Sequence, residues 1–145
     1  MPRFIGEYKY NLDSKGRVII PGKFRENFTE NVYLLKGFEK CLLLLDSEEI
    51  KKIEDRISKR SLVDKEVRDF TRAFFSGITE VKTDSQGRIL LSRSLLEYAE
   101  ITEEVYLVGT GFYLEIWSSK NWLIESKKLQ ALRKELIRLI GEDEK

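Results

Sequence analysis

The pentamer Asp-Ser-x-Gly-Arg occurs twice in this chain, as DSKGR at residues 13–17 and as DSQGR at 84–88. Two pentamers that agree at four positions are a weak signal alone, so their flanks decide the matter. At the same offset of 71, Phe4 aligns with Phe75, Gly6 with Gly77, and VII at 18–20 with ILL at 89–91. With one or two residues of slippage, VYLL at 32–35 matches VYLV at 105–108, and LLLLDS at 42–47 matches LEIWSS at 114–119. An internal repeat constrains a fold more than any overall composition does. Units of about seventy residues rarely hold a large core alone. The expected arrangement is therefore two halves, 1–74 and 75–145, sharing one core about a pseudo-twofold axis.

Each half carries the same local programme. Residues 4–12 read as extended and DSKGR as a tight turn, because an Asp side chain accepts from nearby backbone N–H groups and Gly takes positive φ. RVIIP then reads as a strand stopped at Pro21, followed by a short helical turn over 23–28. NVYLLKGF and KCLLLLD form a hairpin signal. With Asp46 or Ser47 as N-cap, the spacing of Ile50, Ile53 and Ile57 predicts a helix over 48–58, and Val63, Val67, Phe70 and Phe74 predict another leading to Gly77. The second half repeats strand, turn, strand RILL, short helix SRSLLEYA and hairpin EVYLVGTGFYLEIW. It ends in a long helix with Trp122, Leu129, Leu132, Leu136 and Leu139 at helical spacing, whose apolar face is expected to pack on its own body or on a neighbouring subunit. The expected class is α+β with a mostly β, barrel-like core and flanking helices.

Several function classes fall away on residue content. The chain has one cysteine, Cys41, and no histidine, which excludes disulfides and every His-dependent triad and leaves no basis for a metal or other cofactor. GTG at 109–111 lacks the third glycine and the strand-to-helix setting of a dinucleotide loop. Acid pairs such as Glu48-Glu49, Glu54-Asp55 and Glu103-Glu104 read as solvated faces. No catalytic residue is expected, and the chain is not expected to be an enzyme. CLLLL at 41–45 is too short to span a bilayer and the N-terminus lacks an apolar signal region, so a reducing, cytoplasmic setting is expected.

The formal net charge is only +1, so distribution matters more than total. Residues 1–25 hold Arg3, Lys9, Lys15, Arg17, Lys23 and Arg25 against Glu7 and Asp13. The C-terminal acids Glu142, Asp143 and Glu144 read as a solvated tail. Within DSxGR the Asp can pin the turn or the Arg four residues on, Gly permits the reversal, and the Arg carries five donors in a planar fork. An Arg held by an Asp loses less entropy when its outer edge meets a phosphate or a guanine. Alone, such a turn is an ion-paired hairpin of little energetic weight. The first copy, however, collects Lys9, Lys15, Lys23 and Arg25 in sequence, whereas the second has Gln86 in place of Lys15. On that asymmetry the first copy is the better polyanion surface, with Arg17 ranked above Arg88. Phe74, Phe75, Trp117 and Trp122 read as core; Tyr8 and Tyr10, beside the basic turn, stay open between packing and base stacking.

The stretch FIGEYKYNLDSKGRVIIPGKFR resembles the N-terminal signature of the MraZ proteins, bacterial transcription factors related to the AbrB and MazE DNA-binding proteins. The second motif at Asp84 to Arg88 and the two hairpins extend the resemblance over essentially the whole chain; Ser92 stands where the first half has Pro21. The resemblance implies tandem SpoVT-AbrB-like units with swapped hairpins in a double-split β-barrel and a ring-shaped homo-oligomer. It implies binding to repeated boxes of double-stranded promoter DNA of a cell division and cell wall operon, mostly as a repressor, and hence a nucleoid location. Carried over by position, Arg17, Lys15, Lys23, Arg25, Lys9, Arg88 and Gln86 become DNA-contact candidates, and Asp13, Gly16, Asp84 and Gly87 the residues that shape the turns. The rival class is an oligomerisation module without sequence-specific DNA binding.

Overall fold

A computed structural model describes residues 3–29 and 31–143. The acidic run at 142–144 therefore falls partly outside the described residues. The first half contributes β1 (Glu7–Asn11), β2 (Arg17–Ile19), α1 (Gly22–Arg25), β3 (Val32–Lys36), β4 (Leu42–Asp46), α2 (Ser47–Ser58) and α3 (Lys65–Phe75). The second contributes β5 (Thr79–Val81), β6 (Arg88–Leu90), α4 (Arg93–Tyr98), β7 (Glu104–Gly109), β8 (Leu114–Ser118) and α5 (Ser119–Asp143).

Six strands pair in the order β1-β7-β8-β4-β3-β5, and β2 pairs with β6 as a separate antiparallel ribbon. Exchanging β1 with β5, β3 with β7 and β4 with β8 turns this order into its own reverse. The pairings that cross between the halves are β1 with β7, β5 with β3, β4 with β8 and β2 with β6. Each half thus lends its first strand to the hairpin of the other.

Hydrogen bonding closes no barrel among the described residues: the sheet is open between its edge strands β1 and β5. The cause is that each edge strand runs into a DSxGR turn. The strands leaving those turns pair with each other and lie across one face of the sheet. Val18, Ile20, Ile89 and Leu91 from the ribbon side pack with Leu34, Leu42, Leu44, Leu107, Leu114 and Ile116 in one buried cluster.

β4 shows why the sheet is the middle layer. All five of its residues are buried; Leu42 and Leu44 face the ribbon cluster, while Leu43 and Leu45 enter a second cluster with Ile50, Phe74, Trp117 and Trp122. A strand covered on both faces reads as a continuous apolar run. At its end Asp46 caps α2, its Oδ1 accepting from Glu49 N at 3.1 Å. Its Oδ2 accepts from Thr29 N at 3.0 Å and pairs with the Arg3 guanidinium. Burial pushes the Asp46 carboxyl up, but the Arg3 bond together with the Thr29 and Glu49 amides holds it below the usual carboxylate range.

Two local expectations shift, and the far part of α5 does not pack on its own body. Val63 is 84% exposed and precedes α3, which starts at Lys65. Phe4 lies outside β1 and bridges instead to Gly111, so that a side chain at Gly109 would collide with the Phe4 backbone. Trp122 is buried, but Leu129, Leu132, Leu136 and Leu139 further along α5 are all exposed. Although α5 has 25 residues, no described helix is long and apolar enough to cross a membrane.

Candidate nucleic-acid interface

The two DSxGR turns are built alike to within a tenth of an ångström or so. In the first, Asp13 Oδ1 accepts from Lys15 N and Arg17 N, each at 2.9 Å, and Oδ2 accepts from Arg17 Nε at 2.7 Å. In the second, Asp84 Oδ1 accepts from Gln86 N and Arg88 N, each at 2.9 Å, and Oδ2 accepts from Arg88 Nε at 2.8 Å. Gly16 and Gly87 sit at φ 80° and 76°, a left-handed conformation that L side chains rarely adopt. Each Asp thus contacts both the turn backbone and the Arg four residues on.

The fold brings the two turns together. Ile20 N donates to Gly87 O at 2.9 Å and Leu91 N to Gly16 O at 3.0 Å, so each turn is tied to the strand leaving the other. Arg17 Nη1 lies 4.0 Å from Asp84 Oδ2, and Arg88 Nη1 lies 3.7 Å from Asp13 Oδ2. Four side chains therefore form one alternating cluster. The Nη2 group of each Arg has no protein partner among the described residues. With 28% and 23% of their side chains exposed, Arg17 and Arg88 have closely similar access to solvent. The chain-local ranking of Arg17 over Arg88 has no counterpart in this geometry.

Electrostatics reinforce the turns. The Arg17 amide is the largest influence holding the Asp13 carboxyl below its ordinary value, with the Arg17 side chain and the Lys15 amide adding to it. The Arg88 amide leads the same effect at Asp84, which is lowered to about 2. Both carboxylates stay ionised at neutral pH and hold their guanidinium groups in place.

The remaining candidates scatter. Lys15 and Gln86 are exposed at the two turn tips. Arg25 does not surround the first turn: its guanidinium lies over Gly87 of the second, and a Cβ placed there would come within 2.7 Å of Arg25 Cζ. Lys9 pairs with Glu104 at 3.1 Å, and Lys23 sits over the Tyr8 ring at 3.7 Å and contacts its hydroxyl. Arg3, counted above with the basic segment, pairs with Asp46. The sequence-local cation cluster is thus dispersed, Lys9 and Arg25 by contacts that cross to the second half and Arg3 and Lys23 by contacts within the first. Tyr8 and Tyr10 are partly buried and pack against the ribbon-side core, Tyr8 edge-on to Phe24 at 5.4 Å.

Two residues at this surface escaped the sequence reading. Ile19 and Leu90 are 45% and 59% exposed, and in the ribbon Arg17 stands opposite Leu90 and Ile19 opposite Arg88. The outer face of the ribbon is therefore a checker of two arginines and two aliphatic side chains. The signal was the period-two alternation of RVII and RILL, whose intervening Val18, Ile20, Ile89 and Leu91 point into the core.

The comparisons agree with this two-part construction. The family model described as "MraZ protein" matches residues 3–73 and again residues 74–140. A "Transcriptional regulator MraZ" of Caldicellulosiruptor bescii is 46% identical over 121 residues, covering 83% of this chain and 85% of that protein. Proteins of the same name from Acetivibrio thermocellus and Clostridium tetani are 44% and 43% identical over 119 residues, covering 82% of this chain and 83% and 84% of those proteins. The chain belongs to the MraZ family.

Proposed function

We propose that this chain is a sequence-specific DNA-binding transcriptional regulator whose reading head is the β2·β6 ribbon with its two DSxGR turns. The observation that carries this reading is the convergence of both turns into one solvent-facing surface with each Arg locked to an Asp. A two-stranded ribbon fits the major groove of B-DNA, where Arg pairs with guanine and apolar side chains meet the thymine methyl. Arg17 and Arg88 supply the fork donors and Ile19 and Leu90 the apolar contacts. In this reading Lys15 and Arg25 meet phosphates, with Gln86 at the second tip; Lys9 and Lys23 play at most a peripheral part. Relatives named as transcriptional regulators support the same assignment.

In the finer reading, residues 1–74 and 75–145 are two SpoVT-AbrB-like repeats with exchanged hairpins. The protein acts as a repressor on repeated boxes upstream of a cell division and cell wall operon, in the cytoplasm and at the nucleoid, as a ring of identical subunits. The exposed Leu129, Leu132, Leu136 and Leu139 of α5 support association with another copy. Linked weak sites on such an assembly would raise avidity by roughly two to four orders of magnitude.

The test is the affinity of the purified protein for the DNA upstream of its own gene, measured across a range of salt. DNA binding through phosphates predicts a log–log slope of about −0.9 per contact. A flat slope, or no binding to any upstream fragment, would favour the rival oligomerisation module.

A further inference from the structure

The two halves differ most at the junction between edge strand and turn. On the first half's side Tyr10, Leu12 and Leu96 pack against the buried cluster. Their counterparts at the offset of 71 are Val81, Thr83 and Arg25. The pairing confirms the equivalence: Tyr10 stands opposite Val105 in β1·β7, and Val81 opposite Val32 in β5·β3. One phenol and two isobutyl groups are thus exchanged for an isopropyl group, a hydroxyl and a cation. In addition, β1 runs on to pair Asn11 with Glu104, whereas β5 stops at Val81. Phe28, larger than its counterpart Ala99, lines the space these exchanges leave without filling it, its ring lying against Phe4 at 4.6 Å between centroids.

The consequence is a cavity of about 290 Å³ at the β5 side. Ile20, Leu44 and Ile89, all nearly fully buried, line it together with the exposed Arg25, Lys82 and Glu80. Apolar floor and polar mouth are the makings of a small-ligand site, and the volume is near the lower end of such sites. The ion pairs among the described residues use neither Arg25 nor Lys82. Two cations against one carboxylate favour an anion.

We propose that this cavity binds a small amphipathic carboxylate, its aryl or branched alkyl body on Val32, Val81 and Ile89 and its carboxylate between Arg25 and Lys82. The site belongs to the folded chain whether or not the paired turns bind DNA. It would nonetheless touch them, because Arg25 also covers Gly87.

The test is a methyl-detected NMR titration of the full chain with 3-phenylpropionate. Saturable shifts are expected at Val32, Val81, Leu44 and Ile89, with half-saturation near or below roughly a millimolar for a ligand of this size. Val105, at the filled counterpart, should stay still. Val81→Tyr, which installs the first half's residue, should abolish the shifts in a chain whose spectrum is otherwise native. Arg25→Leu, an exposed change that keeps the assay decisive if the Tyr variant misfolds, should weaken binding roughly tenfold through loss of a charge-assisted bond. 3-Phenylpropionamide should bind weakly by the same measure. Absence of saturable shifts up to about 10 mM, tenfold beyond that expected range, would overturn the proposal. So would unchanged binding by Arg25→Leu, or equal binding of the amide.

Discussion

The first and second DSxGR turns share one geometry and have different surroundings. The first has Lys15 at its tip and lies against Leu91 O and Leu96; the second has Gln86 at its tip and lies under Arg25. In the chain, Arg25 is eight residues from Arg17 and belongs with the first turn. In space the exchange of strands hands it to the second. Charge counted along a segment therefore misjudges the local field wherever two halves of a fold swap elements. Duplication with exchange balances the cations: Lys15 on one turn, Arg25 on the other, and a cluster of two Arg and two Asp between them.

Glycine substitutions break the comparison hardest. Gly16→Ala and Gly87→Ala each force an L side chain into positive φ, and each should lower stability by about 1–2 kcal/mol in chemical denaturation. Only Gly87→Ala should also displace Arg25, seen as a shift of its Nε resonance, because the new methyl enters the space the guanidinium fills. An Arg25 signal that moves equally in both variants would contradict the placement.

Acid sharpens the likeness of the two turns. Both Asp carboxyls have folded-state values below their unfolded ones, so the turns' contribution to stability is fully present above about pH 4. It is lost as pH falls toward the folded values, about 2 for Asp84. Carboxyl titration by NMR should show Asp13 and Asp84 ionising well below ordinary Asp residues. Ordinary values at either would remove the carboxylate as the clamp on its Arg.

The smallest effect is the most specific to the turn tips. Lys15→Gln should reduce the salt slope of DNA binding by about one, and Gln86→Lys should raise it by about one. The pair of variants, combined, should restore the original slope with the polarity of the interface reversed.

Much of this was legible in the sequence, for physical reasons that also mark its limit. The turns, hairpins and the α2 cap rest on local chemistry, such as the Asp46 carboxylate meeting the Glu49 amide three residues on. Ile19 and Leu90 were legible too, from alternation with Val18 and Ile89, once the strand was read for its outer as well as its inner face. What local pattern does not carry is partnership between segments. That β1 would join β7, that Arg3 would pair with Asp46 and that Arg25 would cover Gly87 all depend on long-range pairings. The exposed α5 leucines show the same limit: helical spacing marks an apolar face without naming its partner.

The most direct measurement is the operator affinity of Arg17→Ala and Arg88→Ala, made separately in chains that retain the native fold and assembly. A shared reading head predicts comparable losses of about 1–3 kcal/mol for each. A full loss from Arg17→Ala with none from Arg88→Ala would return the site to the first turn alone, and retained affinity in both would take DNA recognition away from the ribbon.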